Sequence, residues 1–414
     1  SEPVALATHF LYAGKNRSYS HQIARVNLTC AGSMRAPGEA VGMLALENAM
    51  DELAHDAGID PVELRLRNIP EEHPEKDKKF SSHCLADCLT TGAKRFGWEK
   101  RNATPGAVRE GEWLIGVGMS SAARGNILHE AKARVILHSD ATVSVETDMT
   151  DIGTGTYTIL AQIAGEMLGL PLDRIEVKLG DTDFPPAAGS GGSWGAGSTG
   201  SAVFLACQTL RSEIADLLGT DPAELTIKDG SIISGNVQHE LAQLLTRDLS
   251  AVGHIEPGKT SDEVEQATFG AHFAEVAVNA VTGETRVRRM LGVFSAGRIL
   301  NMQTARSQCH GGMIFGIGSA LTEELVHDLR DGHIVNHNLA EYHVPVNLDV
   351  PQIDAVFLEE RDSWANPMQS KGVGELGISG AGAAITNAIF NATGVRVRDY
   401  PATLDKVLKG LPEM

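Results

Sequence analysis

The chain has 414 residues, a formal charge of -18 and a pI near 5.3. That balance argues against a nucleic-acid or anionic-membrane binder, which needs a basic face. Its length fits two or three domains, and its composition of 42% hydrophobic and 21% charged residues describes a globular protein.

In chain order, strand-like runs occupy Ala5 to Tyr12 and Gln22 to Thr29. Periodicity then predicts a long helix from about Glu39 to Ala57, with Val41, Leu44, Leu46, Met50 and Leu53 as its apolar stripe and Gly58 as its stop. Asp60-Pro61-Val62-Glu63 opens a second helix with a cap, a first-turn proline and an acid. Asp221-Pro222-Ala223-Glu224 repeats the device without amounting to an internal repeat. The polar stretch 68–82 reads as a connector, and a short helix at roughly 84–96 leads into a second domain.

From Trp113 the pattern is mixed. Trp113 to Met119 and a hairpin from Ala133 to Thr147, turning near Ser139-Asp140, read as strands. A helix from about Tyr157 to Leu168, a strand at Arg174 to Leu179, a glycine-rich loop at 187–200 and a helix from about Ser201 to Leu218 follow. A second hairpin turns at Thr282-Gly283, and helices are expected at 304–325, 378–393 and 401–409. Interleaved helices, strands and hairpins favour an α+β fold, mixed sheets with packed helices, over a doubly wound parallel sheet. The scattered Cys30, Cys84, Cys88, Cys207 and Cys309 complete no zinc framework and read as buried thiols.

Three glycine-rich loops each run toward a helix: Asp151-Ile152-Gly153-Thr154-Gly155-Thr156, Gly191-Gly192-Ser193-Trp194-Gly195, and Lys371-Gly372-Val373-Gly374-Glu375-Leu376-Gly377. Helix N-termini present unpaired N–H groups and a positive dipole end, so three that converge would cradle a large anionic cofactor. The third loop also holds a carboxylate, Glu375, where it can reach substrate; a solvated acid at a helix start is the plainer reading. Gly372-x-Gly374-x-x-Gly377 matches the dinucleotide fingerprint, but Pro367-Met368-Gln369-Ser370 is no feeding strand. Gly191-x-Ser193-x-Gly195 matches a nucleophile elbow, with His239 or His343 as nominal bases, although Phe184-Pro185-Pro186 cannot be its strand. Arg35 in Met34-Arg35-Ala36-Pro37-Gly38 offers a guanidinium for a carboxylate or carbonyl, and Gln308 in an apolar helix needs partners. His310 on that helix reads as structural.

Together these motifs resemble the molybdenum-binding subunit of the xanthine dehydrogenase/aldehyde oxidoreductase family, over nearly the whole chain and in the family's order. They include Met34 to Gly38, Leu46 to Leu53, Asp60 to Asn68, Asp151 to Thr156, Gly180-Asp181-Thr182, Gly191 to Val203, Gln308 to Gly318, Ala340-Glu341-Tyr342 and Lys371 to Glu375. The style is closest to bacterial, often periplasmic, aldehyde oxidoreductases. The resemblance implies a molybdenum-cofactor-binding-domain-like fold, with 1–82 ending a first cofactor domain and 83–414 forming a second, divisible at 265/266.

It implies that aldehydes become carboxylic acids by attack of Mo–OH oxygen and hydride transfer to Mo=S, with hydroxylation of N-heterocycles as the alternative; a serine hydrolase and a cofactor-free scaffold are readings of another class. Glu375 matches the base and Arg35 the substrate-orienting arginine. Gly153, Thr154, Gly155, Gly191, Gly192, Ser193, Trp194, Gln308, Lys371, Gly372 and Gly374 match cofactor contacts, and no residue matches a protein ligand to the metal. Thr154 stands where relatives carry Gln, Pro37 where xanthine-type enzymes carry an aromatic, and Ser295 and Met302 where Asp and Pro are usual. Without that ring, flat heterocycles lose a stacking partner.

The family's Gly-Gly-Gly-Phe-Gly loop is missing, as are iron–sulfur cysteines and a flavin fingerprint. The chain is therefore expected to be the C-terminal part of a longer subunit, inactive alone and partnered by the missing N-terminal part, an iron–sulfur subunit and an FAD subunit. The pterin is expected in its cytosine dinucleotide form if the source is bacterial. No targeting signal is legible, so periplasm and cytoplasm both stay open.

Overall fold

The computed structural model describes residues 2–28, 32–234 and 237–411. Helices α1 (Glu39–Ala57), α2 (Pro61–Arg67) and α3 (Leu85–Phe96) come first. Strands β1 (Trp113–Gly125), β2 (Ala131–Leu137) and β3 (Val143–Thr147), helix α4 (Thr156–Leu168), strand β4 (Ile175–Leu179) and helix α5 (Gly195–Leu218) follow. Strands β5 (Leu249–Ile255), β6 (Ala267–Asn279) and β7 (Thr285–Ser295), helix α6 (Met302–Leu321), strand β8 (Gln352–Phe357) and helix α7 (Ala381–Thr393) complete the main elements.

The larger sheet runs β8-β7-β6-β1, extended at its edge by Arg109–Glu110; β7 and β8 are parallel and the other pairs antiparallel. The second runs β5-β2-β3-β4, with only β3 and β4 parallel. The α+β expectation with mixed sheets therefore holds.

Each sheet carries a small-residue helix pressed onto glycines. A methyl on Gly118 of β1 would lie 2.2 Å from the Ala388 nitrogen of α7. One on Gly253 of β5 would lie 1.9 Å from the Ala202 oxygen of α5. Both glycines are required by this close approach, because any side chain would lift the helix off its sheet. On β6, Val276 and Val278 pack with Ile385 and Ile389 of α7, whereas Ala271 and Phe273 pack with Leu85 and Leu89 of α3. With both faces covered, the strand is apolar nearly throughout.

Several expectations need correction. Ala5 to Tyr12 holds a single 3-10 turn at Ala7–His9, and 22–28 form no strand; Thr29 and Cys30 lie outside the described residues. The connector is stitched in, since Lys79–Phe80 pairs in parallel with Val264–Glu265. Helix α5 begins at Gly195, six residues before the expected Ser201, because its glycine-rich first turns lie against Met149, Asn366 and Met368. Strands β5 and β8, and an antiparallel meander of strands at Leu225–Lys228, Ser231–Ser234 and Val237–Glu240, are short elements beyond those expected from the sequence. Cys84 is half-buried, and Cys88, Cys207 and Cys309 are buried free thiols.

The stripe on α1 is also different. Val41 and Leu53 are exposed, while Glu47 and Asp51 are buried. Glu47 is fully enclosed and accepts from Arg65 Nε at 2.7 Å, the Ser121 N–H at 2.6 Å and the Tyr12 hydroxyl at 2.5 Å. Asp51 pairs with Arg396 at 2.6 Å. Acids occupy the inward face because arginines from distant segments wait there.

Two predictions follow from these buried charges and rings. Glu47→Ala leaves the Arg65 charge enclosed without its partner and is expected to cost about 3–5 kcal/mol, read by denaturant unfolding. Glu47→Leu combined with Arg65→Met should cost far less. Burial lowers His272 and His83 to about 4. A histidine depressed in the fold but near 6.5 when unfolded stabilises the protein above about pH 6.5, and this contribution drains away as pH falls toward 4. Melting temperature should therefore fall across that window, and less steeply in His272→Asn.

Candidate functional site

One cavity of about 820 Å³ opens where the three glycine-rich loops meet the Arg35 segment and α6. Arg35, Thr154, Gly191, Gly192, Ser193, Trp194, Gln308, Lys371, Gly372, Gly374 and Glu375 all line it. Gly153 and Gly155 do not. Gly153 turns its carbonyl to Gln308 Nε2 at 3.3 Å, and Gly155 caps α4 with φ of 82°.

Glu375 is the most heavily anchored group in the wall. Its Oε2 accepts from Arg124 through Nε at 2.9 Å and Nη2 at 2.8 Å, and from the Ser193 hydroxyl at 3.2 Å. Its Oε1 accepts the Ala36 N–H at 3.1 Å, and its own N–H donates to Ser193 Oγ at 3.0 Å. Ala36 and Ser193 both sit in the left-handed region, with φ of 54° and 62°. For residues other than glycine that conformation costs on the order of 1–3 kcal/mol, and it clusters at functional sites. Here it aims a backbone N–H and a hydroxyl at one carboxylate. A methyl on Gly372 would lie 2.1 Å from the Ser193 oxygen, so a bare backbone is what lets the two loops touch.

Arg35 does not bond Glu375. Its Nε donates to the Gly374 carbonyl and its Nη2 to the Gln308 carbonyl, each at 2.7 Å. The guanidinium thus clamps the backbone just ahead of the acid, and among the described residues Nη1 has no partner. Burial lowers Arg35 from the usual arginine range. Gln308 is likewise spent, its Oε1 accepting from Arg35 at 3.3 Å while its amide N–H reaches Gly153.

The ammonium of Lys371 points away from the cavity. It is fully enclosed and donates to Ser82 Oγ at 2.6 Å, Glu360 at 2.7 Å and the Ala267 carbonyl at 2.9 Å. It anchors the loop from behind, a buried charge that its partners must satisfy.

Of the three expected helix N-termini, the one after the Gly372 loop does not reach the cavity. Asp151 already accepts the N–H groups of Gly153 and Thr154 at 2.8 Å. The Gly372 loop runs through turns, and α7 starts only at Ala381. No side chain caps α4 or α5. At α5, Gly195 and Ala196 line the cavity, and their N–H groups have no acceptor among the described residues. An uncapped helix start facing a roomy cavity fits the phosphate and dithiolene end of a molybdopterin.

Ser193 has a carboxylate for a partner, no histidine lines the cavity among the described residues, and His239 lies in the meander instead. The nucleophile-elbow reading fails on that geometry. Sequence reasoning missed Arg124 and Glu39, which bond each other as well. A lone arginine in the small-residue run Ser120-Ser121-Ala122-Ala123 was the available signal for the first. Glu39 stands at the start of α1 with no local signal of its burial.

Models of the molybdopterin cofactor-binding domain match residues 91–351 and 2–69. The chain is 52% identical over its whole length to the aldehyde oxidoreductase molybdenum-binding subunit PaoC of Escherichia coli, covering 57% of that protein. It is 33% identical over 95% of its length to a putative xanthine dehydrogenase molybdenum-binding subunit of the same species, covering 55% of it. The aldehyde oxidoreductase structure from Desulfovibrio gigas superposes with a TM-score of 0.75 at 28% identity, over 92% of this chain and 41% of that one. The chain thus spans a little over half the length of the curated relatives named here. It belongs to the molybdopterin cofactor-binding family of xanthine dehydrogenases and aldehyde oxidoreductases.

Proposed function

We propose that this chain carries the base and much of the cofactor wall of a molybdopterin-dependent hydroxylase that oxidises aldehydes to carboxylic acids. The carrying observation is the Glu375 carboxylate, held at the cavity by Arg124, Ala36 and Ser193. When bound, the cofactor supplies the two-electron oxidation and the oxygen delivered to the substrate carbon. The α5 N-terminus and the Gly191–Trp194 loop would hold it, with Gln308 and Thr154 supporting the loops around it.

Converting an aldehyde and water to an acid releases two electrons and two protons. A base must therefore take a proton from the attacking oxygen, and Glu375 is placed for that step. Arg35 Nη1, which has no partner among the described residues, would suit a substrate carbonyl oxygen. The released electrons would leave through iron–sulfur and FAD subunits, and the pterin would carry a cytosine nucleotide. Residues 1–82 and 83–414 would be parts of two cofactor domains, a division supported by the separate family matches. No helix among the described residues is long and apolar enough to cross a membrane.

A second reading, hydroxylation of N-heterocycles, is favoured by the xanthine-dehydrogenase-like relative. Against it, Pro37 stands in the cavity wall and offers no ring on which a flat heterocycle could stack.

In the complete enzyme, Glu375→Gln should lower kcat for aldehydes by about 10²–10⁴ while molybdenum content is unchanged. Retained aldehyde turnover in that variant would remove the mechanism. Purines should be poor substrates beside aldehydes in the same assay, and efficient xanthine turnover would favour the second reading.

A further inference from the structure

Arg124 serves two carboxylates. Its Nε and Nη2 hold Glu375, and its Nη1 donates to Glu39. All three residues are buried, with exposures of 7%, 8% and 2% for Arg124, Glu375 and Glu39. Glu375 lines the cavity, whereas Glu39 does not. Glu39 therefore reaches the site through the arginine and through its charge, not by lining the cavity.

An acid in the first turn of α1 has a plainer use, since the helix dipole favours it there. That use needs neither full enclosure nor an arginine already engaged by the base. Two carboxylates on one buried cation leave a net negative charge in a low-dielectric place, where like charges resist ionising together. Arg124 is raised above the usual arginine range: burial pulls it down, but Glu39 and Glu375 together outweigh this. Burial raises Glu39, against the pull of Arg124. The other charges nearby are Glu2, which accepts the Gly38 N–H at 3.0 Å, and Arg35, which is committed to two backbone carbonyls.

We propose that Glu39 is a positioning residue that, through Arg124, sets how much of the arginine's charge reaches Glu375 and hence the pH at which the base becomes available. The inference rests on Glu375 being the base. With Glu39 ionised, Arg124 is shared between two carboxylates; with Glu39 neutral, the whole cation belongs to Glu375.

The test uses the complete enzyme carrying Glu39→Gln or Glu39→Asp. Glu39→Gln keeps an acceptor for Arg124 but removes the charge; Glu39→Asp keeps the charge. For Glu39→Gln, the acid limb of the kcat/KM profile should move to lower pH by roughly one unit, with little change in KM. Glu39→Asp should stay near the parent. An unmoved limb in Glu39→Gln, or an equal shift in both variants, would overturn the proposal, the second outcome showing a packing effect. A parallel readout needs no turnover: carbodiimide labelling of Glu375, followed by peptide mass spectrometry across pH, should shift in the same direction. If aldehyde turnover proves independent of Glu375, the proposed function fails while the labelling still decides whether Glu39 controls that carboxylate.

Discussion

A carboxylate that must be kept at a cavity wall and largely out of water is the constraint on which this structure turns. Glu375 has to be compensated where it sits, and the partners come from Ala36, Arg124 and Ser193, hundreds of residues apart in part. Satisfying one side chain therefore fixes the junction of α1, the end of β1, the loop before α5 and the turn before α7. The left-handed backbone at Ala36 and Ser193 is tolerated because it aims donors at that acid.

Behind the wall, similar logic repeats with other charges. Lys371 binds Glu360 and Ser82 under the same loop, and Glu47 binds Arg65, Tyr12 and Ser121 under α1. Such pairs contribute little net stability compared with apolar replacements, but each is costly to break on one side. They register the segments from which the site is assembled. The sheets provide the stiff support, with α7 and α5 lying against backbone at Gly118 and Gly253. This close packing leaves little play in the loops at the helix ends.

The division of labour within the wall follows from which hydrogen bonds are already used. Gln308 and the N–H groups of Gly153 and Thr154 are engaged within the protein, so they shape the cavity. The first turn of α5 retains donors toward the cavity. Arg35 clamps backbone through Nε and Nη2, and its Nη1 has no partner among the described residues. Under the proposed function an anionic group would find its attraction in helix geometry, whereas Glu375 is held by two side chains and one backbone N–H.

Local chemistry made much of the chain legible. Capping at Asp60-Pro61, the stop at Gly58 and the hairpin at Thr282-Gly283 are short-range signals, and the elements they bound appear in the structure. The glycine-rich loops, Arg35, Gln308 and Glu375 could be named as candidates because glycine and charge in apolar surroundings are rare enough to notice. What stayed hidden depended on partners far along the chain. The inward acids of α1 contradicted its apolar periodicity, since Arg65 and Arg396 neutralise them only after folding. That the Gly372 loop brings no helix start to the cavity, that Lys371 faces away, and that Arg124 joins Glu39 to Glu375 were decided by tertiary structure alone. A sequence states which groups can donate, accept or carry charge; the three-dimensional fold decides which of them are already satisfied, and so which remain for a ligand.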